Sequence, residues 1–274
     1  MNFDIASSAA IHNTAQSWSE RVVKNGGIKP SGDTVRTLSN FMCGLDNDNL
    51  TTKMKVVMCF VPDNLIAALT PLIVGGGRDP WLNSGAVPFT VAHLTKDGLI
   101  GATPTASGRY LKTGFNSSMY NNTSSCGLTL YNTTATAGNQ IDFGEGVAVN
   151  HVYMAIDYSG IGVIFDCLTN TTPRLQKTNT GYTGYTSGNK TSPTVARIDQ
   201  AKSTLAYNTF ASQSNATGLF TSNEMYAYDI NPVQVASSKR FSFMALHDGL
   251  SFDDGSKFYN LVQTMRQQLG GGWI

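Results

Sequence analysis

The sequence predicts a mainly β fold with a pair of short helices at its beginning and one helix at its end. Charged residues make up only 14% of the 274 residues, and 27 residues are glycine. Asn, Ser and Thr replace the missing charge, a composition typical of β-sandwiches with long loops. Short β-rich runs separated by Gly, Asn and Ser fill most of the chain, and long helical periodicity is confined to the two ends.

The first 50 residues predict a helical hairpin. Ala15, Trp18 and Val22 share one face of a helix over Thr14–Lys24, and the following Asn-Gly-Gly ends it. A second helix follows the Pro-Ser-Gly-Asp run, and its apolar face consists of Val35, Leu38, Phe41, Met42 and Leu45.

This hairpin is too small to bury a core alone, so we expect it to pack on the next domain or on a partner subunit. Residues 1–50 are therefore predicted to form an attachment segment, separate from a β domain over residues 51–274. The predicted contact residues for attachment or oligomer formation are Trp18, Val22, Leu38 and Phe41.

Strand patterns follow one another through the β domain. The best hairpin spans Val152–Asp166 and turns at Ser159 and Gly160. A short helical turn is predicted over Leu65–Leu72, and the polar stretch Leu168–Thr194 is predicted to be a long loop. The other predicted strands are Lys53–Val61, Val87–Leu94, Cys126–Asn132, Gln140–Phe143, Val147–Asp157, Thr194–Ile198, Ser203–Tyr207, Glu224–Tyr228 and one that begins at Arg240.

The last predicted element is an amphipathic helix over Asp253–Leu269. Acidic residues begin it and three glycines follow it, as the helix dipole and a left-handed C-cap favour. We expect Lys257, Gln263 and Arg266 to face water. The residues predicted to face the protein are Phe258, Leu261, Val262 and Met265.

Charge and hydropathy exclude several classes of function. A net charge of +1 leaves no basic field for a nucleic acid. The longest apolar stretch, Val56–Val74, contains two prolines and an acidic residue, so no membrane span is expected. The N-terminus lacks a secretory pattern, so we expect a cytoplasmic protein in which disulfides are improbable and Cys59 is a buried free thiol.

Four segments carry a family resemblance: Asp97–Gly101 with Arg109–Asn116, the hairpin His151–Phe165, the run Val195–Asn208, and the closing strand and helix. Together they resemble the concanavalin A-like jelly rolls, including laminin-G-like modules, of tailed-phage virion proteins. The resemblance implies a jelly-roll sandwich of two antiparallel sheets.

The resemblance also implies a non-enzymatic virion structural protein: a head decoration or fibre protein, or a tail-fibre component. Such a protein would be made in the cytoplasm of a bacterial host and would reside in the virion. Its expected partners are other virion proteins and further copies of itself, and it would present a binding surface to the host.

No catalytic residue is predicted. Jelly-roll glucanases similar to this fold place carboxylates at alternate positions of one strand, and no such string occurs. Asp142 and Glu145 are the nearest acidic pair, but their spacing puts them on opposite faces of a strand, so a turn is favoured. His247 and Asp248 are also predicted to form a turn. A depolymerase that uses Glu145 is a third alternative.

Carbohydrate binding by an adhesin that recognises host surface glycans is the alternative function. Such sites pair an aromatic platform with carboxylate and amide hydrogen bonds, sometimes with calcium. The sequence predicts no metal site and no cofactor, since nothing specific supports calcium. Tyr182 and Tyr185 are equally well explained as subunit contacts. The candidate sugar-binding residues are Trp81, Asp79, Asn83, Tyr182 and Tyr185.

Overall fold

The computed structural model describes residues 10–102, 108–120, 122–136, 138–147, 150–158, 161–167, 174–178, 181–202, 204–213, 219–231 and 236–271. Within these ranges the helices begin at polar caps. Ser31 and Ser251 each accept a hydrogen bond from the backbone N–H three residues later, which satisfies one of the free donors at a helix start. The helices are α1 (Asn13–Lys24), α2 (Gly32–Asn47), α3 (Leu65–Leu69) and α4 (Phe252–Gln268).

Sixteen strands occur within the described ranges, most of them short and separated by turns. The strands are β1 (Met54–Cys59), β2 (Leu82–Gly85), β3 (Leu94–Thr95), β4 (Gly98–Ile100), β5 (Arg109–Lys112), β6 (Cys126–Asn132), β7 (Phe143–Val147), β8 (Asn150–Tyr158), β9 (Gly162–Cys167), β10 (Leu175–Lys177), β11 (Gly184–Ser192), β12 (Val195–Lys202), β13 (Leu205–Gln213), β14 (Tyr226–Ala227), β15 (Ile230–Asn231) and β16 (Arg240–His247).

The described strands form two sheets of eight. The first sheet has the order β13-β12-β11-β6-β16-β4-β3, and β1 pairs with β16 beside β4. The second sheet has the order β10-β9-β8-β7-β14-β5-β2, and β15 adds a short parallel pair to β7. All other pairs are antiparallel, which confirms the predicted sandwich with its N-terminal helix pair and C-terminal helix.

The main core lies between the two sheets. Alternate residues of central strands point inward, as the two-residue period of a strand requires. The first sheet contributes Leu128, Leu130 and Met244, and the second contributes Met154 and Phe165, all fully buried. Burial of this many apolar side chains is the main stabilising term of the fold.

A second core lies between the outer face of the first sheet and helices α1, α2 and α4. Phe258 of α4 packs its ring against Phe243 of β16 and against Phe41 of α2. The helical hairpin therefore shares a core with the β domain. The residues predicted for attachment, Trp18, Val22, Leu38 and Phe41, are all buried inside this core, so the structure offers none of them to a partner.

The closing helix lies flat on the sheet, and two of its side chains differ from the prediction. Gln263 and Arg266, predicted to face water, are buried. Gln263 accepts a hydrogen bond of 2.7 Å from the Tyr131 hydroxyl. The Arg266 guanidinium lies 3.8 Å from the centre of the Tyr131 ring, and its Nε donates to Ser242 Oγ at 2.6 Å. Each of these buried side chains therefore has at least one polar partner beneath the helix.

Several strand predictions are confirmed and three segments are wrong, the first being Gln140–Phe143, of which only Phe143 belongs to a strand, β7. The predicted limits of Cys126–Asn132 agree with β6, and the β8–β9 hairpin is present, although its turn residues Ser159 and Gly160 lie outside the described residues. Val87–Leu94 is a loop with a 3₁₀ turn instead of a strand. The predicted loop Leu168–Thr194 contains strands β10 and β11.

The cysteines also differ from expectation. Cys126 is disulfide-bonded, whereas the sequence made disulfides improbable. Cys59 is a buried free thiol, and burial raises the pKa of that thiol well above its usual value. Cys43 is free and exposed. None of the helices within the described ranges has the length and apolar character needed to cross a membrane.

Candidate functional site

An open groove of about 520 Å³ lies between helix α3 and the segment that leads into β2. Its walls are mainly aliphatic, and charged groups stand at one end. Since β2 is an edge strand of the second sheet, one side of this groove is open to solvent. The lining residues are Leu65, Ile66, Leu69, Arg78, Asp79, Pro80, Trp81, Leu82 and Asn83.

Trp81 forms the base of the groove. Its backbone N–H donates to the Leu69 carbonyl at 2.8 Å, which fixes it against α3. Only 1% of the residue is exposed, because the indole packs into the main core beside Phe143. The indole Nε1 is buried and has no hydrogen-bond acceptor among the described residues. An unsatisfied buried N–H of this kind costs stability unless a ligand or water accepts from it.

Asp79 connects the groove to helix α1. Its Oδ2 lies 2.9 Å from Arg21 Nη1, and its Oδ1 accepts a 3.3 Å hydrogen bond from the Asn25 side chain. About a quarter of the Asp79 side chain remains exposed. The peptide bond between Asp79 and Pro80 is cis. Asp79 therefore presents a fixed and partly accessible carboxylate at the groove.

Asn83 holds the loop after β2 in place. Its Oδ1 accepts from the Phe89 N–H at 2.8 Å, and its Nδ2 donates to the Phe89 carbonyl at 2.8 Å. Because both ends of the amide are engaged, Asn83 shapes the groove and has little capacity left for a ligand. Leu82, one residue earlier, is 47% exposed at the edge of the groove.

A row of paired residues crosses the outer face of the second sheet from this groove. Leu82 pairs with Lys112, Lys112 with Tyr226, Tyr226 with Gly144, and Gly144 with Tyr153. A Cβ atom added at Gly144 would lie 2.2 Å from the Cβ of Tyr153, so this position requires glycine. The row places an aromatic and cationic surface beside the groove.

Two rings stack on this outer face. The Tyr110 and Tyr226 rings lie 4.7 Å apart with an angle of 20° between their planes, and the Lys112 ammonium lies 5.8 Å from the centre of the Tyr226 ring. Burial raises the pKa of Tyr226, so its hydroxyl stays protonated at neutral pH. The sequence signal for this patch was the alternation in Arg-Tyr-Leu-Lys, which puts Tyr110 and Lys112 on the same face.

The structure separates the other two candidate tyrosines from this groove. Tyr182 lies just before β11 of the first sheet and Tyr185 lies within that strand. Both residues are buried. The Tyr182 hydroxyl donates to the carbonyls of Tyr185 and Ala201 at 2.9 and 2.8 Å. Neither ring presents a free face for a sugar, so their predicted role in binding stays without structural support.

Asp142 and Glu145, the acidic pair considered for catalysis, do not form the predicted turn. Asp142 is buried, and Lys239 Nζ lies 3.0 Å from its Oδ1. Glu145 lies within β7, not in a turn, and its Oε1 accepts from the Ser117 N–H at 3.1 Å. Burial raises the pKa of Glu145 to about 7. Both carboxyl groups are enclosed, and neither lines a groove described here.

His247 is also not part of a turn. It is the last residue of β16 and is fully buried. Its Nδ1 lies 2.8 Å from the Asp248 carbonyl, and its Nε2 lies 2.8 Å from Thr129 Oγ1. Burial lowers the pKa of the imidazole to about 4, so His247 is neutral at pH 7. No cluster of three His, Cys, Asp or Glu residues that could hold a metal ion occurs in the described ranges.

Comparisons with known proteins do not identify the function of this groove. No protein-family model and no curated protein matches the chain. Among solved structures, the chain is similar to domain 4 of AbnA, a GH43 extracellular arabinanase from Geobacillus stearothermophilus, determined in complex with arabinotriose. The two are 14% identical with a TM-score of 0.44, over 76% of this chain and 98% of that one. A likeness this distant carries no argument about function.

Proposed function

We propose that this chain is a non-enzymatic carbohydrate-binding β-sandwich module whose site is the groove at Trp81. The observation that carries the proposal is the combination found there. Aliphatic walls and a partly exposed carboxylate of Asp79 line one open groove, and Trp81 at its base has a buried indole N–H without an acceptor among the described residues.

Sugars suit such a groove because their rings have apolar C–H faces and a rim of hydroxyl groups. Leu65, Ile66 and Leu82 can cover a C–H face. A sugar hydroxyl could donate a hydrogen bond to the partly exposed carboxylate of Asp79. Each such hydrogen bond contributes about 0.5–1.5 kcal/mol, more where a charged group takes part.

Two further observations favour a binding role. The enclosed Asp142 and Glu145 lack the access that an acid–base pair for glycoside cleavage needs. The disulfide at Cys126 fits an oxidising compartment, where surface glycans are found. The first observation supports the non-enzymatic part of the proposal, and the second supports action outside the cytoplasm.

The proposal is tested on a glycan array, with and without Ca²⁺, followed by calorimetry on any oligosaccharide that binds. Leu82→Asp places a charge at the edge of the groove on an exposed residue and should abolish binding. Val195→Asp is the matched control, since Val195 is a strand residue of the other sheet with a similar exposure of 42%. Absence of all glycan binding, or equal loss in both variants, would overturn the proposal.

A second candidate function is a structural subunit of an assembly such as a virion. It is favoured by the outer surface of the helical hairpin, where Ile28 is 77% and Val23 is 49% exposed. Large exposed apolar side chains are common at subunit contacts. Ile28→Asp should reduce oligomer formation measured by light scattering, and a monomeric wild-type protein would contradict this candidate.

A further inference from the structure

One cation beside the groove has no carboxylate to neutralise it. Lys112 lies between Leu82 at the edge of the groove and Tyr226 on the sheet. Within the described residues, no ion pair joins the Lys112 ammonium to a carboxylate. The Lys112 side chain is half-buried, so its ammonium is partly accessible to a ligand. A ligand in the groove that extends along β2 would meet this charge.

The other charged groups around the groove are paired with one another. Arg21 binds Asp79 at 2.9 Å, and Arg78 Nε binds Glu224 Oε1 at 2.8 Å. Glu224 also accepts from the Gly114 N–H at 2.6 Å, which holds it in place. Asp229 also acts on Tyr226, but it is buried and its Oδ1 accepts from the Ile230 N–H at 2.8 Å, so Lys112 is the partly exposed cation of this surface that no ion pair engages within the described residues.

The surroundings of Lys112 fit a sugar ring that bears a carboxylate. The Tyr110 ring, half-buried above Tyr226, offers an aromatic surface 4.7 Å above its neighbour for the C–H face of a sugar. Lys112 stands at the same stack. A charge-assisted hydrogen bond from an ammonium to a carboxylate is about twice as strong as one between neutral groups.

We infer that the ligand is an acidic oligosaccharide, and that Lys112 binds the carboxylate of a uronic acid unit next to the groove. This inference rests on the proposed carbohydrate binding and narrows its ligand class. Because the charge is partly exposed, affinity for the acidic ligand should fall as salt concentration rises.

The test compares trigalacturonate with its fully methyl-esterified form by calorimetry at low salt. Esterification removes the negative charge of each carboxyl group, adds one methyl group to it and leaves the rest of the sugar unchanged. Wild-type protein should bind the acid about tenfold or more tightly than the ester, and Lys112→Met should reduce the acid to the affinity of the ester. The matched control is Lys202→Met, because Lys202 also lies over a tyrosine, at 5.6 Å from the Tyr182 ring, on the other sheet.

The outcomes separate this inference from the function on which it rests. Equal affinity for acid and ester, or equal loss in the two lysine variants, overturns the acidic ligand. If neutral oligosaccharides still bind in a manner that Leu82→Asp abolishes, carbohydrate binding stands and only the ligand class falls. Absence of binding by every oligosaccharide overturns both.

Discussion

The buried carboxyl of Glu145 makes the stability of the protein depend on pH in a defined way. Burial raises the pKa of Glu145 from 4.5 to about 7 in the folded protein. The folded state therefore holds the proton more tightly than the unfolded state does. The free energy of unfolding should fall as pH rises from 4.5 to 7, and this loss should be complete above pH 7.

The size of this effect follows from the pKa difference. A rise from 4.5 to about 7 corresponds to about 3 kcal/mol of stability between fully acidic and fully basic conditions. Glu145→Gln removes the charge at every pH. The free energy of unfolding of Glu145→Gln minus that of wild type should therefore be about 2–3 kcal/mol larger at pH 8 than at pH 5.

His247 acts in the opposite direction and masks this effect in the wild type. Burial lowers its pKa from 6.5 to about 4, so its contribution is present above pH 6.5 and is lost as pH falls through 4. Around pH 4.5–6.5 the two groups offset each other. Asp166, with a pKa raised by burial from 3.8 to about 6, acts in the same direction as Glu145. The Glu145 contribution is therefore taken from the difference between Glu145→Gln and wild type, in which the contributions of His247 and Asp166 cancel.

The assay is urea unfolding followed by circular dichroism at several values between pH 5 and pH 8. Glu20→Gln is the matched control, because Glu20 lies exposed on α1. The Glu145→Gln and wild-type curves should diverge with pH, and the control curve should follow wild type. Parallel curves for Glu145→Gln and wild type would refute it.

Three further outcomes are expected. Lys239→Met leaves the Asp142 carboxylate buried without its partner and should cost about 3–5 kcal/mol in urea unfolding, whereas a loss under about 1 kcal/mol would contradict the buried ion pair. Phe258→Ala should cost about 3–5 kcal/mol, since its ring joins α4 to the first sheet, and a cost typical of a surface site would contradict that packing. In mass spectrometry of unreduced, denatured protein, iodoacetamide should label Cys43 but label Cys126 only after reduction, and labelling of both before reduction would contradict the disulfide.

Local patterns were sufficient to predict the helices and the most regular strands. The apolar spacing of Phe258, Val262 and Met265 predicted the closing helix, and all three are buried. The same reasoning failed for Arg266, because the Tyr131 ring and Ser242 that receive it are remote in sequence. Long polar side chains on a helix can be buried when such partners exist.

Strand β11 was missed because its buried side chains are polar. Ser187 is buried and lies 2.9 Å from Thr129 Oγ1 on β6, and Asn189 donates to Asp199 on β12 at 3.1 Å. The partners lie on neighbouring strands and satisfy the polar side chains of β11. In the sequence alone, those side chains predicted a loop. A central strand of this composition is not visible to an argument from hydropathy alone.

The candidate site was predicted in part. Asp79, Trp81 and Asn83 do line one groove, but Trp81 forms its base and does not present a free ring face. Lys112 and Tyr226 were not proposed, because the pairing that brings them beside Leu82 depends on the order of strands in the second sheet. That order could not be worked out from spacing along the chain.

The most direct test of ligand binding in the groove is a titration followed by two-dimensional NMR of the tryptophan indole N–H groups. Trp81 Nε1 has no acceptor among the described residues, whereas Trp18 Nε1 donates to the Thr70 carbonyl at 2.9 Å and serves as an internal reference. On addition of trigalacturonate, the Trp81 signal should move and saturate while the Trp18 signal stays in place. A Trp81 signal that does not move at saturating oligosaccharide would contradict the central claim that the groove is the binding site.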